Sequence, residues 1–309
     1  MAVVLRRWGV ILLVGAMCGA AWAGNLSVIV TDGGAPVDGA IVNVEPGGPS
    51  GTTNPAGKWH ETGIAAGDYQ VIAWKTIAGT LKGAVADVTI PAAGNEDVTL
   101  SLVEAVWTYN LFPYAVGNRW QYDYRHSGTD GRWTCTWREH VDRATTVDGE
   151  PAVVLAASKD MVPEWEEIRG STREGFVLYT QQQGTDTIKF DPPMRLGALL
   201  PMGYEWVATT TMHHSDGSPD GPGLLRCKLV GFERVRVPAG TFDTARLEVV
   251  MTMGGETNEL TIWAAHNVGI VRQIEKNDER TNTKALEEYS MRGLPLRPIG
   301  PILRPMPRP

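Results

Sequence analysis

The stretch FERVRVPAGTFDTARLEVVM, residues 232–251, decides the class of the fold. Two short extended segments flank Pro238-Ala239-Gly240, where a fixed proline φ and a permissive glycine favour a tight turn. From Ala245 to Met251 every second residue is apolar, so these side chains share one face of a strand. The stretch therefore predicts a β-hairpin with one buried face.

Similar segments surround this hairpin. ELTIWAAHNVGIVRQIE at 259–275 predicts a second hairpin, and aromatic residues alternate with others in WQYDY at 120–124 and WTCTW at 133–137. No long stretch repeats its apolar residues every 3.6 positions, which is the period of a helix. We expect an all-β protein in which residues 105–291 form a Trp-rich antiparallel β domain, either a large sheet or a half-barrel.

This domain contains a weak internal repeat. FPYAVGNRW at 112–120 and LPMGYEW at 200–206 both have a proline followed by Gly-x-x-Trp. After each tryptophan come a strand with a cysteine, Cys135 or Cys227, and then a strand–turn–strand segment. Two similar halves are expected to bring equivalent strands together in a pseudo-symmetric sheet.

Residues 1–23 have the features of an export signal. Arg6 and Arg7 precede a short apolar stretch, and Ala21-Trp22-Ala23 offers small residues for cleavage after Ala23. Neither this stretch nor any later one reaches the ~20 apolar residues of a membrane-spanning helix. We expect a secreted or periplasmic protein without a transmembrane segment.

Charge and size narrow the classes of function. Without Arg6 and Arg7 the 28 basic residues become 26, which against 35 acidic residues gives a net charge of −9. An acidic surface argues against nucleic acid and anionic membranes as partners and favours a soluble monomer. Removing 23 residues from 309 leaves 286, enough for two domains.

Only Cys135 and Cys227 follow the signal. Both occupy the apolar phase of their strands, and an even pair in an oxidising compartment favours a disulfide. Such a bond would close a loop of about 90 residues and stabilise the fold by roughly 4 kcal/mol on the chain-entropy model. The alternative is two buried thiols that never meet.

Residues 24–103 contain a separate set of short strands. LSVIVTD, GAIVNVE, DYQVIAWK and EDVTLSL alternate in polarity, with glycine-rich turns between them, which predicts a sandwich of about seven strands. The motifs GAPVDGAIVNV, GTTNPAGKW and GIAAGDYQVIA resemble the carboxypeptidase regulatory-like domain, a transthyretin-like sandwich. The resemblance implies an accessory module, usually without catalysis.

The second domain has a likeness of its own. FPYAVGNRW, the VPAGTF turn and WAAHNVGIV resemble an uncharacterised family of bacterial envelope proteins over about residues 111–275. The resemblance implies an extracytoplasmic β domain. Some such domains are curved sheets resembling lipoprotein carriers, which would imply a hydrophobic ligand.

Motifs of common catalytic sites are absent from the sequence. It contains no Gly-x-Ser-x-Gly elbow, His-Glu-x-x-His pair or phosphate loop. The carboxylates of EWEE at 164–167 are expected on a solvated face. We expect no catalytic residues and no cofactor, although a glycosidase could pair acids that are distant in sequence.

The segment HHSDGSPDGPG at 213–223 is a weak metal candidate. Asp216, Ser218 and Asp220 resemble the start of a calcium loop, whose oxygen ligands lie on alternate residues. The twelfth loop position is Cys227 instead of a glutamate, and no helices flank the segment. A flexible hairpin loop is therefore the favoured interpretation, and no metal is expected.

The tryptophans are the one feature that could mark a ligand surface. Seven of the nine that follow the signal lie in the second domain, and aromatic rings either stack on sugars or fill cores. Alternation with threonine places most of them inward. Trp165, Trp206 and Trp263 are the candidates for ligand binding.

These patterns together favour an exported, non-enzymatic envelope or secreted protein that binds an unknown ligand or envelope component through its second domain. A secreted hydrolase acting on glycans is the alternative, and a pair of structural spacers is a third. The Pro- and Arg-rich tail at 292–309 is expected to be disordered.

Overall fold

The computed structural model describes residues 23–172 and 175–292. The predicted export signal at 1–23 and the predicted disordered tail at 292–309 fall almost entirely outside the described residues. Within them nearly every element is a β-strand, so the all-β prediction is confirmed. Among the described residues, no helix has the length and apolar composition that crossing a membrane requires.

The first part of the chain forms a β-sandwich. Its strands are β1 (Ala23–Asp32), β2 (Ala35–Pro36), β3 (Ile41–Glu45), β4 (Ser50–Thr52), β5 (Lys58–Ala65), β6 (Gly67–Ile77), β7 (Thr80–Ile90), β8 (Asn95–Ser101), β9 (Val103–Trp107) and, from later in the chain, β16 (Leu199–Pro201). In one sheet β1 pairs with β2, β5 and β8, and the other sheet has the order β16-β9-β7-β6-β3-β4.

Alternating side chains form the sandwich core. Leu26 and Val28 on β1 face Val42 on β3 and Val71 on β6, and all four have no exposed surface. Within the described part of the chain the sandwich has ten strands instead of the predicted seven, because β2 and β4 are short pieces of two and three residues and β16 comes from later in the chain. Its relation to the carboxypeptidase regulatory-like domain stays a prediction.

The second part of the chain forms a closed barrel of twelve antiparallel strands. The strands are β10 (Arg119–Gly128), β11 (Gly131–Val147), β12 (Glu150–Lys159), β13 (Val162–Thr172), β14 (Gly175–Gln183), β15 (Asp186–Leu196), β17 (Glu205–His214), β18 (Gly221–Val237), β19 (Gly240–Met253), β20 (Glu256–Ala265), β21 (Gly269–Lys276) and β22 (Arg280–Ser290). The expectation of an open sheet or half-barrel is wrong, because β10 pairs with both β11 and β22 and leaves no free edge.

The ring of strands also explains why the predicted disulfide is wrong. The barrel consists of two six-stranded halves, β10–β15 and β17–β22, and the cysteines lie on the second strand of each half. Equivalent strands are therefore six places apart in a ring of twelve, on opposite walls, instead of adjacent. A disulfide needs Cα atoms within about 7 Å, whereas each strand-to-strand step is already about 4.8 Å. Cys135 and Cys227 are free thiols.

The sandwich takes one strand from the second part of the chain. The short strand β16, from the segment between the two barrel halves, pairs with β9 of the sandwich. Leu199 on β16 is fully buried beside Ile72 and Ala105. The domain boundary predicted near residues 103–105 thus falls inside β9, a strand that joins the two parts.

Candidate functional site

The barrel encloses a cavity of about 690 Å³. Its walls are the inward-facing side chains of the barrel strands. At one end, here called the mouth, the cavity reaches the hairpin turns 128–131 and 254–255, where Asp130 and Glu256 line it. The volume is in the range of about 300–1,000 Å³ that is usual for small-molecule sites.

The other end of the barrel is closed by the plug, residues 108–118. It begins with the helical turn α1 (Thr108–Leu111), and its Phe112 and Tyr114 are buried in the barrel core. The backbone N–H of Asn267, in the turn between β20 and β21, donates a hydrogen bond to the carbonyl oxygen of Asn110 over 2.7 Å. The cavity is therefore a cup whose floor is the plug.

One wall of the cup is aromatic. Directly opposite residues of an antiparallel pair lie on the same face, so Trp133 and Trp137 on β11 point inward with Tyr124 on β10. The Tyr124 ring stacks on both indoles, with centroids 5.5 Å from Trp133 and 5.4 Å from Trp137. Trp165 on β13 continues the row at 6.1 Å from Trp137. Because these rings stack on one another, much of their faces is covered by their neighbours.

The facing wall is aliphatic and rich in methionine. Methionine is flexible and polarisable, so it adapts to ligands of different shape. The aliphatic residues of this wall are Met194, Met212, Leu225, Leu247, Val249, Met251, Met253, Leu260 and Ile262. The two halves of the internal repeat thus line the cavity differently: the rings of the aromatic row come from the first half, whereas most of the aliphatic wall comes from the second.

A buried ion pair lies on the aromatic wall. Lys284 Nζ on β22 is 2.7 Å from Glu139 Oε1 on β11. The indole N–H of Trp137 donates a second hydrogen bond to the same oxygen over 2.9 Å. The ammonium also lies 5.3 Å from the centroid of Trp137 and 5.6 Å from that of Tyr122, at cation–π distance.

A second ion pair lies nearer the plug. The Arg169 guanidinium on β13 contacts the Glu167 carboxylate and donates a hydrogen bond from Nη1 to the Tyr114 hydroxyl over 2.6 Å. Its central carbon is 5.6 Å from the Tyr114 ring centroid and 5.8 Å from that of Trp165. This contact ties the plug to the barrel wall.

Burial and charge shift the pKa values of these groups in different directions. Burial alone would raise the pKa of the Glu139 carboxyl, but the charges of Lys284 and Arg169 outweigh it and lower that pKa. For Glu167 burial prevails over Arg169 and raises the pKa. Burial also raises the pKa of Tyr114 from 10.0 to about 12. Glu167 therefore takes up a proton more readily than Glu139.

The mouth is polar and mainly acidic. His126 Nε2 lies 2.6 Å from Asp130 Oδ1, and its Nδ1 lies 2.8 Å from the side-chain oxygen of Asn282. Among the groups with a full charge at the mouth, the carboxylates of Asp130, Glu256 and Glu275 outnumber the guanidinium of Arg280.

The structure places the three candidate tryptophans in three different surroundings. Trp165 lines the barrel cavity. Trp206 borders a groove of about 600 Å³ between the sandwich and the barrel, and its indole N–H donates to the Leu199 carbonyl over 3.2 Å. Trp263 lies outside the cavity and donates to Glu233 over 2.7 Å. They do not form one surface, and their role in binding stays a prediction.

The three residues of the weak metal candidate also have separate partners. Asp216 comes together with Asp186 and His214, whose possible ligand atoms all lie within 4.8 Å of one another. Ser218 donates its backbone N–H to Asp216, and Asp220 lies 2.7 Å from His213 Nδ1. Hydrogen bonds from the loop and from His214 already occupy the Asp186 carboxylate. The alternating oxygen ligands of a calcium loop are not assembled here.

Sequence reasoning missed the charged residues of the cavity, although a signal for them existed. Glu139 is two residues beyond Trp137, in the same inward phase, and Lys284 shares a phase with the fully buried Leu286 on the same strand. In EWEE, Glu164 is exposed as expected, but Glu167 is buried because it shares the phase of Trp165. The interpretation of the whole EWEE cluster as a solvated face was therefore wrong for Glu167.

No family model matches the chain, and no curated protein matches it. Two solved structures are similar in part. A Bacteroides fragilis NCTC 9343 protein, named as exported with a YmcC-like fold, is 16% identical, with 58% of this chain and 98% of that chain covered and a TM-score of 0.35. A protein of Parabacteroides distasonis ATCC 8503, named as a lipoprotein, is 14% identical, with 58% and 97% covered and a TM-score of 0.32. At these TM-scores the likeness carries no argument about this chain.

Proposed function

We propose that this is an exported, non-enzymatic protein whose barrel binds an apolar small molecule in its cavity. The observation that carries the proposal is the cup itself, about 690 Å³ in volume and walled by aromatic and methionine side chains. A mostly apolar cavity with a few convergent polar groups is the usual form of a small-molecule site. The sandwich would then be an accessory module.

Export is supported by the sequence of the first 23 residues and by the position of β1. The strand begins at Ala23, one residue before the predicted new N-terminus, and Gly24 is already buried. Mass spectrometry of the protein from culture medium or periplasm should find Gly24 as the first residue. Recovery of the full-length chain from the cytosol would contradict this part of the proposal.

The cavity can be tested with a neutral fluorescent probe, N-phenylnaphthylamine, whose emission rises in apolar surroundings. The wild-type protein should bind it saturably. Met251→Trp places a large ring in the cavity, and we expect it to weaken binding by at least about tenfold, since it removes roughly 1.4 kcal/mol or more of binding free energy. Glu248→Trp adds the same ring to the exposed outer face of the same strand and should leave binding unchanged.

Thermal unfolding of both variants shows whether they fold. Equal loss of probe binding in Met251→Trp and Glu248→Trp would place the probe outside the barrel. Absence of saturable binding in the wild-type protein would remove the support for ligand binding in the cavity and would favour the hypothesis of structural spacers. The glycan-active hydrolase stays a prediction from the sequence.

A further inference from the structure

We infer that the ligand is an amphipath with an anionic head, such as a fatty acid, and that its head binds inside the barrel, at Lys284 and Arg169. The inference rests on the proposed function and names the ligand class of the same cavity. Four observations carry it: which charges face the cavity, which donors are free, where the apolar surface lies, and the sign of charge at the mouth.

The cations of the two ion pairs face the cavity more than their partners do. The side chains of Lys284 and Arg169 are 14% and 18% exposed, whereas those of Glu139 and Glu167 are 9% and 6% exposed. Lys284, Arg169 and Glu167 line the cavity, but Glu139 does not. A molecule in the cup therefore meets positive charge at this depth.

Both cations have donors to spare. An ammonium has three N–H donors, and the one hydrogen bond that Lys284 makes within the described part of the chain is to Glu139. In Arg169, Nη1 and Nη2 engage Tyr114 and Glu167, while Nε has no hydrogen-bond partner among the described residues. Arg169 Nε has almost no accessible surface, so the unpaired donors that a carboxylate in the cavity meets first are those of the Lys284 ammonium.

The rest of the cup suits an acyl chain. The aliphatic wall lines the same cavity as the cations, and the aromatic row presents rings whose faces are partly covered by one another. Stacking on sugars needs open ring faces, whereas a hydrocarbon chain needs only apolar area. The chain would extend from the cations towards the mouth along Met251 and Met253.

The charge at the mouth determines which end of a bound amphipath lies deep in the cavity. Asp130, Glu256 and Glu275 outnumber Arg280 there, so an anionic head is disfavoured at the mouth relative to the cation-lined interior. A cationic head would prefer the opposite orientation. If the head lies deep in the cavity, the protein should prefer an anionic head; if the head lies at the mouth, it should prefer a cationic one.

The added negative charge can be balanced within the site. Glu167 is surrounded by Arg169 on its own strand, Glu139 on β11, Lys284 on β22 and Tyr114 in the plug. Burial raises the pKa of the Glu167 carboxyl, so it can take a proton from solvent when a carboxylate binds. Arg169 is then free to pair with the ligand.

The test compares lauric acid, lauryl alcohol and laurylamine, which share one carbon chain and differ in the head. Displacement of N-phenylnaphthylamine from the full mature chain gives their affinities. We expect the acid to bind at least about tenfold more tightly than the alcohol, since a charge-assisted hydrogen bond contributes roughly that factor or more. The amine should bind most weakly.

The decisive variant is Lys284→Met with Glu139→Gln, which removes both charges and leaves no buried carboxylate without a partner. It should lose the preference for the acid and keep the affinity for the alcohol. Arg169→Met with Glu167→Gln tests the second pair in the same way. Arg226→Met, on the outer wall, should keep the acid preference.

Each outcome decides a different question. Equal binding of acid and alcohol to the wild-type protein, a preference for the amine, or an acid preference that survives in both double variants would overturn the head-group inference. Any of these would leave binding in the cavity intact. Failure of all three compounds to displace a bound probe would overturn the inference, and failure of the probe itself to bind would overturn the proposed function.

Discussion

Lys284 Nζ lies 2.7 Å from Glu139 Oε1 inside the barrel, although the two residues are 145 positions apart in the chain. The pair spans the place where the barrel closes, since β10, the first strand, lies between β11 and β22. The two side chains therefore connect the second strand of the ring to the last one. A buried pair of this kind is costly to break, because removing one partner leaves the other charge uncompensated.

We expect Lys284→Met to lower the free energy of unfolding by about 3–5 kcal/mol, because it strands the Glu139 carboxylate in a buried position. Urea denaturation at neutral pH measures the change. Lys284→Met with Glu139→Gln should recover most of the loss. Arg125→Met breaks a pair whose arginine side chain is 69% exposed, and it should change stability by less than about 1 kcal/mol. A Lys284→Met protein as stable as the wild type would show that the pair contributes nothing.

The alternation of side chains was readable from the sequence because it is local. In WTCTWRE the phase of Trp133 and Trp137 is the phase of the cavity wall, and the structure continues it to Glu139. The same rule identifies a charge in the buried phase as a residue of interest. The assumption that every carboxylate of EWEE faces solvent led us to overlook Glu167, because its neighbours Glu164 and Glu166 do face outward.

Closure of the barrel was not readable in the same way. Pairing of β10 with β22 joins residues such as Tyr124 and Lys284, and no local pattern in either strand specifies its distant partner. Closure then fixed two further outcomes. It placed Cys135 and Cys227 on opposite walls, and it created a cavity where the sequence predicted only a sheet or half-barrel.

The buried tyrosines of the barrel should ionise at a higher pH than a tyrosine in water. Burial raises the pKa of Tyr114 to about 12, and it raises that of Tyr122 well above 10.0. Because the folded pKa is raised, the stability linked to these groups is fully present below pH 10 and is lost as the pH rises through the folded value. Ultraviolet absorbance of tyrosinate should show their ionisation together with alkaline unfolding.

Tyr114→Phe isolates the role of the plug in this behaviour. It removes the hydroxyl that accepts from Arg169, and we expect it to cost about 1.5–3 kcal/mol of stability, as for hydrogen bonds to charged groups. Tyr289→Phe alters a partly exposed ring and serves as the control. Equal stability of the two variants would mean that the hydroxyl does not hold the plug.

The two cysteines should behave as separate thiols. Burial raises the pKa of Cys227 to about 12 and also raises that of Cys135, so few thiolates exist at neutral pH. Iodoacetamide should leave Cys227 unmodified in the native protein. After unfolding without a reductant, a chain that begins at Gly24 should take up two labels. If neither thiol takes up a label until a reductant is added, the two cysteines form a disulfide after all.

Gly197 fits closely against Trp206 beside the groove between the sandwich and the barrel. A Cβ at this position would collide with the six-membered ring of the indole, which is held in place by its hydrogen bond to the Leu199 carbonyl. We expect Gly197→Ala to cost about 1–3 kcal/mol, the usual range for overpacking. Gly231→Ala is the matched control, because a Cβ there meets nothing within 4 Å and the effect should stay within about 0.5 kcal/mol.

A double-mutant cycle separates the collision from any intrinsic cost of alanine at position 197. In a Trp206→Ala protein the ring that the new Cβ would strike is gone, so Gly197→Ala should then change the free energy of unfolding by less than about 0.5 kcal/mol. Urea denaturation of the four proteins gives the coupling. If the cost of Gly197→Ala persists without Trp206, it comes from the backbone at residue 197, and the indole does not require glycine there.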